Sequence, residues 1–424
     1  MVQDQRNIRV AIDTLGCKLN QAESGLIARK LMSAGYRLVS PSDEADVYIL
    51  NSCTVTHIAD RKSRQALSAV HRRNPDALII ATGCYAERAP HALSRIDGVS
   101  VVVGNAGKEN LVALLDEYFT GSDCMADNSR SDLLTLRTRA FVKIQDGCNN
   151  SCAYCIVPYV RGRAQSLPAC RIVAGVKELI AAGYQEIVLT GTEIGSYGDE
   201  GVSLQGLVAR ILRETRVVRL RLSSLQPQEI TPELIKLWQD SRLCRHFHLS
   251  LQSGSEAVLR RMKRRYTTGD YKQAVSLIKA QLPGAAVTTD VIIGFPGETE
   301  AEFAESFCFC RRMPFARIHV FPYSVRPGTE AAGMTRQVGA AVKKERSRQM
   351  LTLSRECALN FRRQFIGEVM PVLWEQTSGA GIWSGLTDNY IKVYIKRDAD
   401  LANRLTEVRL GRIYRDGVWG EITG

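Results

Sequence analysis

Three cysteines within eight residues constrain this chain more than any other stretch. Cys148, Cys152 and Cys155 stand in the run GCNNSCAYCIVPYVRGR at 147–163, with C-x3-C-x2-C spacing. Thiolates this close suit an iron–sulfur cluster, whose irons take cysteine sulfur as their usual ligand. A cubic four-iron cluster has four iron corners. Three cysteines leave one iron open, and an open iron can bind and activate a small molecule. A structural zinc site wants four ligands in a closed shell, and no fourth Cys or His stands close by.

A second cysteine set lies upstream in a repeated pattern. An apolar run at 9–16 leads into Cys17, one at 46–52 into Cys53, and one at 77–83 into Cys84. Helical patterns follow at about 21–34 and 58–72, and a third helix starts after Cys84. Buried runs alternating with helices predict a parallel sheet in an α/β domain. Ligands of such sheets gather beyond the carboxyl ends of the strands. Cys17, Cys53 and Cys84 all sit at that edge, so they can converge although 36 and 31 residues separate them. Asn20 and Asn51 flank the same edge, as ligand contacts or as satisfied turn residues.

Composition narrows the setting. The chain has 424 residues, 45% of them hydrophobic and 24% charged, as in soluble proteins of two or three domains. It shows neither a signal-peptide pattern nor an apolar run of membrane-spanning length, so a cytoplasmic location is expected. There, twelve cysteines point to metal or catalysis before disulfides. A net charge of +12 is consistent with a polyanionic partner.

From 139 to about 335, six strand-like segments alternate mostly with helices: 141–145, 186–190, 217–222, 247–251, 287–293 and 318–321. Such βα units build a parallel sheet or partial barrel, with active sites at the carboxyl ends of the strands. The three-cysteine loop follows the first strand directly. Candidate ligand contacts after the other strands are Gly191, Thr192 and Glu193, then Ser223, Ser224 and Gln226, then Ser250 and Gln252 with Arg260, Lys263 and Arg264, and finally Asp290 with a turn at 294–297. His246 and His248 alternate with strand period and read as packed strand residues. Cys170, Cys244, Cys308, Cys310 and Cys357 read as structural, and Cys124 has no evident partner.

The remainder divides in two. Residues 340–364 predict one amphipathic helix with seven Lys/Arg against two Glu. Residues 365–424 predict about five short strands, with turns at Thr387-Asp388-Asn389 and Arg415-Asp416-Gly417, hence a small β-barrel. That segment holds seven Lys/Arg and eight Asp/Glu, so its charges must be segregated, or the helix must supply the attraction, if it grips phosphate. The expected organisation is an N-terminal domain at 1–125, a linker at 126–138, a barrel domain at 139–339, the helix at 340–364 and the small barrel at 365–424.

In the spacing of its central cysteines, in Tyr154 before the third, and in TLGCKLNQAES, LNSCTVT, ATGCYAE and GFPGE, the chain resembles the radical S-adenosylmethionine (SAM) methylthiotransferases. The resemblance covers essentially the whole chain. It implies an α/β fold with a parallel-sheet N-terminal domain, a partial (β/α)6 barrel and an RNA-binding β-barrel of the TRAM kind. It implies two 4Fe–4S clusters. Cys148, Cys152 and Cys155 would hold the cluster whose open iron chelates SAM and whose electron splits it to a 5′-deoxyadenosyl radical. Cys17, Cys53 and Cys84 would hold the other, able to carry an exogenous sulfur. Gly191, Thr192 and Glu193 match the family's glycine-containing SAM motif. Tyr154, Ser224, Ser250, Gln252 and Arg264 complete the expected cofactor contacts.

The triplet Lys18-Leu19-Asn20 is most like the branch acting on threonylcarbamoyladenosine beside the tRNA anticodon. The isopentenyladenosine branch more often has Gln-Met-Asn there, and the ribosomal-protein aspartate branch Pro-Lys-Asn. Implied partners are a tRNA anticodon loop, a reductase or flavodoxin-like electron donor and a sulfur donor of unknown identity, with no membrane. An iron–sulfur protein that binds RNA without catalysis is the non-enzymatic alternative.

Overall fold

The apolar runs of the first domain pair in parallel, as expected of strands rich in buried aliphatic residues. In this computed structural model, which describes residues 8–119, 138–378 and 381–423, the strands Arg9–Thr14, Val47–Ser52 and Leu78–Gly83 form the centre of a five-stranded parallel sheet. Two further strands, Arg37–Val39 and Val99–Val103, lie at its edges. Helix Lys18–Ser33 packs Ile27 and Leu31 on one face, against Val10, Ile49 and Ile80. Helix His57–Arg73 packs Leu67 on the other, against Leu50 and Ile79. Thr56 caps the second helix by accepting the Ala59 N–H at 3.2 Å, the role that side-chain oxygens play for unpaired amides of a first turn. The expected linker, apart from Thr138, lies outside the described residues, as does Cys124.

All six barrel strands are present: Arg139–Lys143, Glu186–Thr190, Arg219–Leu222, His246–Leu249, Ala286–Ile293 and Arg317–Pro322. They run parallel and follow sequence order, in two hydrogen-bonded groups joined by a bridge between Leu220 and Leu243. The third strand starts two residues later than 217–222 predicts, and the fourth ends at Leu249 instead of 251. One apolar core runs under the whole sheet, from Ile144 and Val176 to Phe303 and Ile318. The barrel is open, and its last strand is an edge. Helix Ala340–Arg363 covers it: the Ser354 hydroxyl accepts the Ile318 N–H at 3.1 Å and donates to the Ile318 carbonyl at 2.7 Å. A covered edge cannot recruit a foreign strand.

The C-terminal strands Val369–Ser378, Ile382–Thr387, Lys392–Lys396, Leu405–Tyr414 and Gly417–Ile422 close into a barrel around Trp374, Val393 and Leu410. Both expected turns join consecutive strands. This small barrel docks on the amino ends of the large barrel's strands, opposite the cysteine loop. The Arg219 and Arg221 guanidiniums donate to the carbonyls of Leu386 (3.0 Å) and Asp388 (2.9 Å). Arg245 donates to the Asp388 carboxylate at 2.6 and 3.2 Å, and Arg139 to Glu375 at 2.6 Å. Among the described residues no helix is long and apolar enough to cross a membrane.

Candidate active site at the meeting of two cysteine trios

The loop after the first barrel strand is tied at both ends. The Cys148 N–H donates to the Gly162 carbonyl at 3.1 Å. Gly147 sits at φ +66°, and a Cβ there would lie 2.0 Å from the Arg163 carbonyl oxygen, so only glycine fits. The middle of the loop is pinned by the Ala153 N–H donating to the Met262 carbonyl (3.1 Å) and the Ala331 N–H to the Ala153 carbonyl (2.7 Å). Cys148, Cys152 and Cys155 then line one cavity of about 440 Å3, beside Ala153, Pro158 and Tyr159. Tyr154 turns into an apolar cluster, edge-on to Phe295 at 6.4 Å.

A polar network rims these thiols. The Cys148 thiol donates to Glu193 at 3.3 Å, and the Asn150 side chain to the other Glu193 oxygen at 2.6 Å. Arg264 donates to the Cys152 sulfur and to Gln226, both at 3.1 Å. The Gln226 amide closes the circuit on Glu193. Glu193 and Gln226, from the ends of two strands, and Arg264, from the turn after helix Glu256–Arg261, therefore meet at the cysteines. The amides of Thr192 and Glu193 are taken by the Gln145 side-chain oxygen, each at 3.0 Å, and the Glu193 carbonyl accepts from the Ser196 N–H and hydroxyl. Gly191 packs on Gln145, Ser224 lines the neighbouring cavity, and Gln252, at φ +68°, bridges to the strand of Asp290 through its own N–H at 2.8 Å. The Ser250 carbonyl accepts from the Tyr266 hydroxyl, and neither Ser250 nor Gln252 lines either cavity. Lys263 pairs with Glu330 on the surface, and Arg260 folds back on its own helix.

Strand register assembles the other trio. Thr14 pairs with Asn51, Asn51 with Thr82, and Ser52 with Gly83, so Cys53 and Cys84 leave adjacent strands side by side and Cys17 follows the neighbouring one. Gly83, at φ +95°, leaves room for the Ser52 carbonyl 2.4 Å from where a Cβ would stand. Asn20 and Asn51 prove to be internal ties. Asn20 donates to the carbonyls of Leu15 (2.9 Å) and Ser52 (3.0 Å), and Asn51 to those of Asn20 and to the Ser24 hydroxyl, both at 3.0 Å.

Burial pushes the thiols of Cys53 and Cys148 up to about 12 and that of Cys155 up to about 11, and it raises Cys84 as well. Such thiols are inert alone. A bound metal reverses this, because a coordinating thiol is deprotonated outright. Among the described residues no three His, Cys, Asp or Glu side chains converge on a single-ion site. Each of the two cavities carries an all-sulfur trio in its lining, the donor chemistry that iron–sulfur clusters take.

One side chain joins the two trios. Arg161 ends the short helix Val157–Arg161, whose Val160 packs against Cys84 together with the preceding Ile156. Its guanidinium donates to Asn20 (2.6 Å), Glu23 (2.8 Å) and Asp146 (2.9 Å). Burial opposes ionising Glu23, yet the hydrogen bonds and charge of Arg161, with Lys108 and Lys143, hold its carboxyl far below the usual range. A second tie comes from Arg326, which donates to the Thr54 carbonyl at 3.0 Å and to Asp60 at 2.7 Å.

Below Cys17, Cys53 and Cys84 a cavity of about 560 Å3 runs down the barrel lumen to Tyr390 of the small barrel. That is the size of an ordinary small-molecule site. Its mostly apolar walls carry a few polar groups. His248 meets Asp290 at 3.2 Å, Thr288 lies between His246 (3.1 Å) and His248 (2.9 Å), and Tyr390 stacks on His246 at 4.5 Å. Burial lowers His319 to about 4, so that ring is neutral. The histidines thus pack and hydrogen-bond as expected, yet they also face the lumen, which strand period alone does not reveal. Sequence reasoning gave no role to Arg161, although it stands inside the central motif. Tyr390 was invisible because it arrives from another domain.

Comparison with known proteins agrees with this geometry. The radical SAM superfamily profile matches residues 142–310, and the uncharacterized protein family UPF0004 matches residues 9–104. The threonylcarbamoyladenosine tRNA methylthiotransferase MtaB of Bacillus subtilis is 40% identical over 96% of this chain and 95% of its own. The tRNA-2-methylthio-N(6)-dimethylallyladenosine synthase of Moorella thermoacetica is 34% identical over 97% of each. Among solved structures, the radical SAM methyltransferase TsrM of Kitasatospora setae shares the fold at a TM-score of 0.58 and 15% identity, over 77% of this chain and 75% of that one. With such identity across nearly its full length, and with both cysteine trios in place, the chain belongs to the methylthiotransferase family of radical SAM enzymes.

Proposed function

We propose that this enzyme converts N6-threonylcarbamoyladenosine, next to the anticodon of a tRNA, into its 2-methylthio derivative. The observation that carries the reading is the shared frontier of the two trios. Ile156, Val157, Val160 and Arg161 line the cavity of Cys17, Cys53 and Cys84, while Cys155, Pro158 and Tyr159 of the same segment line the cavity of the other trio. A hydrogen-abstracting centre and a sulfur-bearing centre need such adjacency. Similarity to the threonylcarbamoyladenosine enzyme of Bacillus subtilis supports the choice of substrate.

Cys148, Cys152 and Cys155 would hold the 4Fe–4S cluster, which when bound supplies the electron that cleaves SAM. Cys17, Cys53 and Cys84 would hold a second cluster for the sulfur that is transferred. Glu193, Gln226 and Arg264 would orient the charged methionyl end of SAM, because an acid and a guanidinium suit an ammonium and a carboxylate. The apolar packing of Tyr154 keeps the loop rigid. The chain's own residues set distance, orientation and water exclusion. A single-stranded anticodon loop can splay its base into the lumen. The sulfur source and the reductase or flavodoxin-like electron donor act from outside, in the cytoplasm where tRNA is modified.

Anaerobic reconstitution tests the cofactor assignment. Wild-type protein should bind about eight irons per chain, as two cubic clusters. Replacing Cys148, Cys152 and Cys155 by Ala should leave about four and abolish 5′-deoxyadenosine formation. Replacing Cys17, Cys53 and Cys84 should also leave about four, with 5′-deoxyadenosine still formed and methylthio product lost. Nucleoside mass spectrometry of tRNA from cells with and without the gene checks the substrate. Persistence of the 2-methylthio-threonylcarbamoyl nucleoside without the gene, in cells with no second such enzyme, would refute it.

A further inference from the structure

The lumen cavity holds polar groups that nothing in the protein satisfies. Lys18 is fixed by its place as first residue of the helix after Cys17, and its side chain lines the cavity. Among the described residues its ammonium has neither hydrogen-bond acceptor nor ion-pair partner. Tyr390, Arg221, Arg139, Glu186 and Asp290 are close enough to interact with it electrostatically, though none is bonded to it. Glu186 is already held by Arg219 at 3.1 Å and Arg221 at 2.7 Å. Asp290, the carboxylate on the cavity wall, is engaged by His248. Arg317 lines the cavity as a second cation. The lumen therefore presents positive charge in excess of its available carboxylate.

Neutral groups point the same way. The hydroxyls of Thr192 and Ser223 and the Nδ1 of His246 are buried without a hydrogen-bond partner, and all three residues line this cavity. Ser223 and His246 are each 3% exposed. Buried polar atoms are nearly always paired, so a group of orphans around one cavity marks a site shaped for a polar ligand. Such a ligand would carry an anionic end for Lys18 and hydrogen-bonding groups for the hydroxyls. An apolar substituent would leave every one of these atoms desolvated and unpaired.

We infer that Lys18 receives the threonyl carboxylate of the substrate nucleoside, with Ser223 and Thr192 meeting its carbamoyl linkage, so that Lys18 determines which N6 substituent is accepted. The inference rests on the proposed substrate. The base would lie toward Cys17, Cys53 and Cys84 and its N6 arm would descend the lumen toward Tyr390. A site built to hydrogen-bond a substrate group discriminates strongly against the analogue lacking it.

The test uses the reconstituted holoenzyme and anticodon stem-loop RNAs carrying threonylcarbamoyladenosine, its threonine-amide analogue (the same arm without the charge), or plain adenosine. Affinity is read by fluorescence anisotropy, and KM and kcat by product mass spectrometry. Wild type should prefer the carboxylate RNA over the amide by about ten- to a hundred-fold, the range of a charge-assisted hydrogen bond, with the difference in KM and Kd. Lys18→Met should collapse that ratio to near one, and Lys18→Arg should keep most of it. Equal binding of carboxylate and amide by wild type would overturn the inference without any variant, and so would an undiminished ratio in Lys18→Met. If wild type methylthiolates neither RNA, the substrate assignment fails instead, which is a different result.

Discussion

Arg161 shows how one residue can couple two sites. It reaches Asn20 and Glu23 beside Cys17 from the helix that follows Cys155. Its partners Glu23 and Asp146 would be left without their main counter-charge by Arg161→Met. Leaving a buried charge wholly unpaired costs about 3–5 kcal/mol, and the cost here is smaller because Lys108 and Lys143 still face Glu23 and Lys143 still faces Asp146. The expected outcome is a clear fall in the urea midpoint, with 5′-deoxyadenosine still formed and the methylthio product sharply reduced, because the cysteine loop survives while its alignment with the other trio is lost. Product and 5′-deoxyadenosine measured in one reaction check this. Glu186 makes a pH prediction. Burial opposes its charge, but Arg221 and Arg219 outweigh that and bring its carboxyl down from 4.5 to about 2. A depressed carboxyl contributes stability that is fully present above the unfolded value and is lost as pH falls through the folded one. Between about pH 4.5 and 2 the wild type should therefore lose stability that Glu186→Gln, less stable at neutral pH, no longer has to lose. Urea midpoints for both proteins across that window check the sign.

At the scale of elements, the end of strand Leu78–Gly83 is a strict requirement. A Cβ at Gly83 would meet the Ser52 carbonyl at 2.4 Å and the Ser52 nitrogen at 2.6 Å, at a φ that side chains rarely adopt. Gly83→Ala should push this strand end from its neighbour and separate Cys84 from Cys53. Iron content after reconstitution should fall from about eight toward about four per chain, while the other trio keeps its iron. Long elements were legible because pattern and burial agree: the run 77–83 became Leu78–Gly83, and the run 340–364 became Ala340–Arg363. The edge strands Arg37–Val39 and Val99–Val103 were not, the first being only three residues long and the second leading into no cysteine. The cysteine trios were legible because sulfur ligands and strand ends leave chemical and topological traces. The Glu193–Gln226–Arg264 circuit was seen only as separate candidates, because its closure depends on barrel curvature. The basic helix spends part of its charge internally: Arg346 pairs with Glu298 at 2.7 Å and Glu300 at 2.9 Å.

On the scale of the whole molecule, the small C-terminal barrel is a structural base as well as an expected RNA-binding unit. It closes the lumen from below with Tyr390, which stacks on His246 and accepts from Arg139 at 3.0 Å. The balanced charge of residues 365–424 then has a physical reason. Asp388 and Glu375 face the arginines at the barrel base and neutralise them there. Asp388→Ala distinguishes the two roles. It removes the pair with Arg245 and leaves that guanidinium half-exposed, a loss of about 1–3 kcal/mol for a charge-assisted hydrogen bond at a part-buried site, toward the lower end because water screens it. If the small barrel served RNA alone, melting would be unchanged and RNA affinity would fall. The docking geometry predicts the reverse: a lower midpoint and unchanged anisotropy with a plain adenosine stem-loop, the contacts of Arg139, Arg219 and Arg221 still holding the barrels together. A transition at the wild-type midpoint would show that the base of the large barrel stands without this clamp.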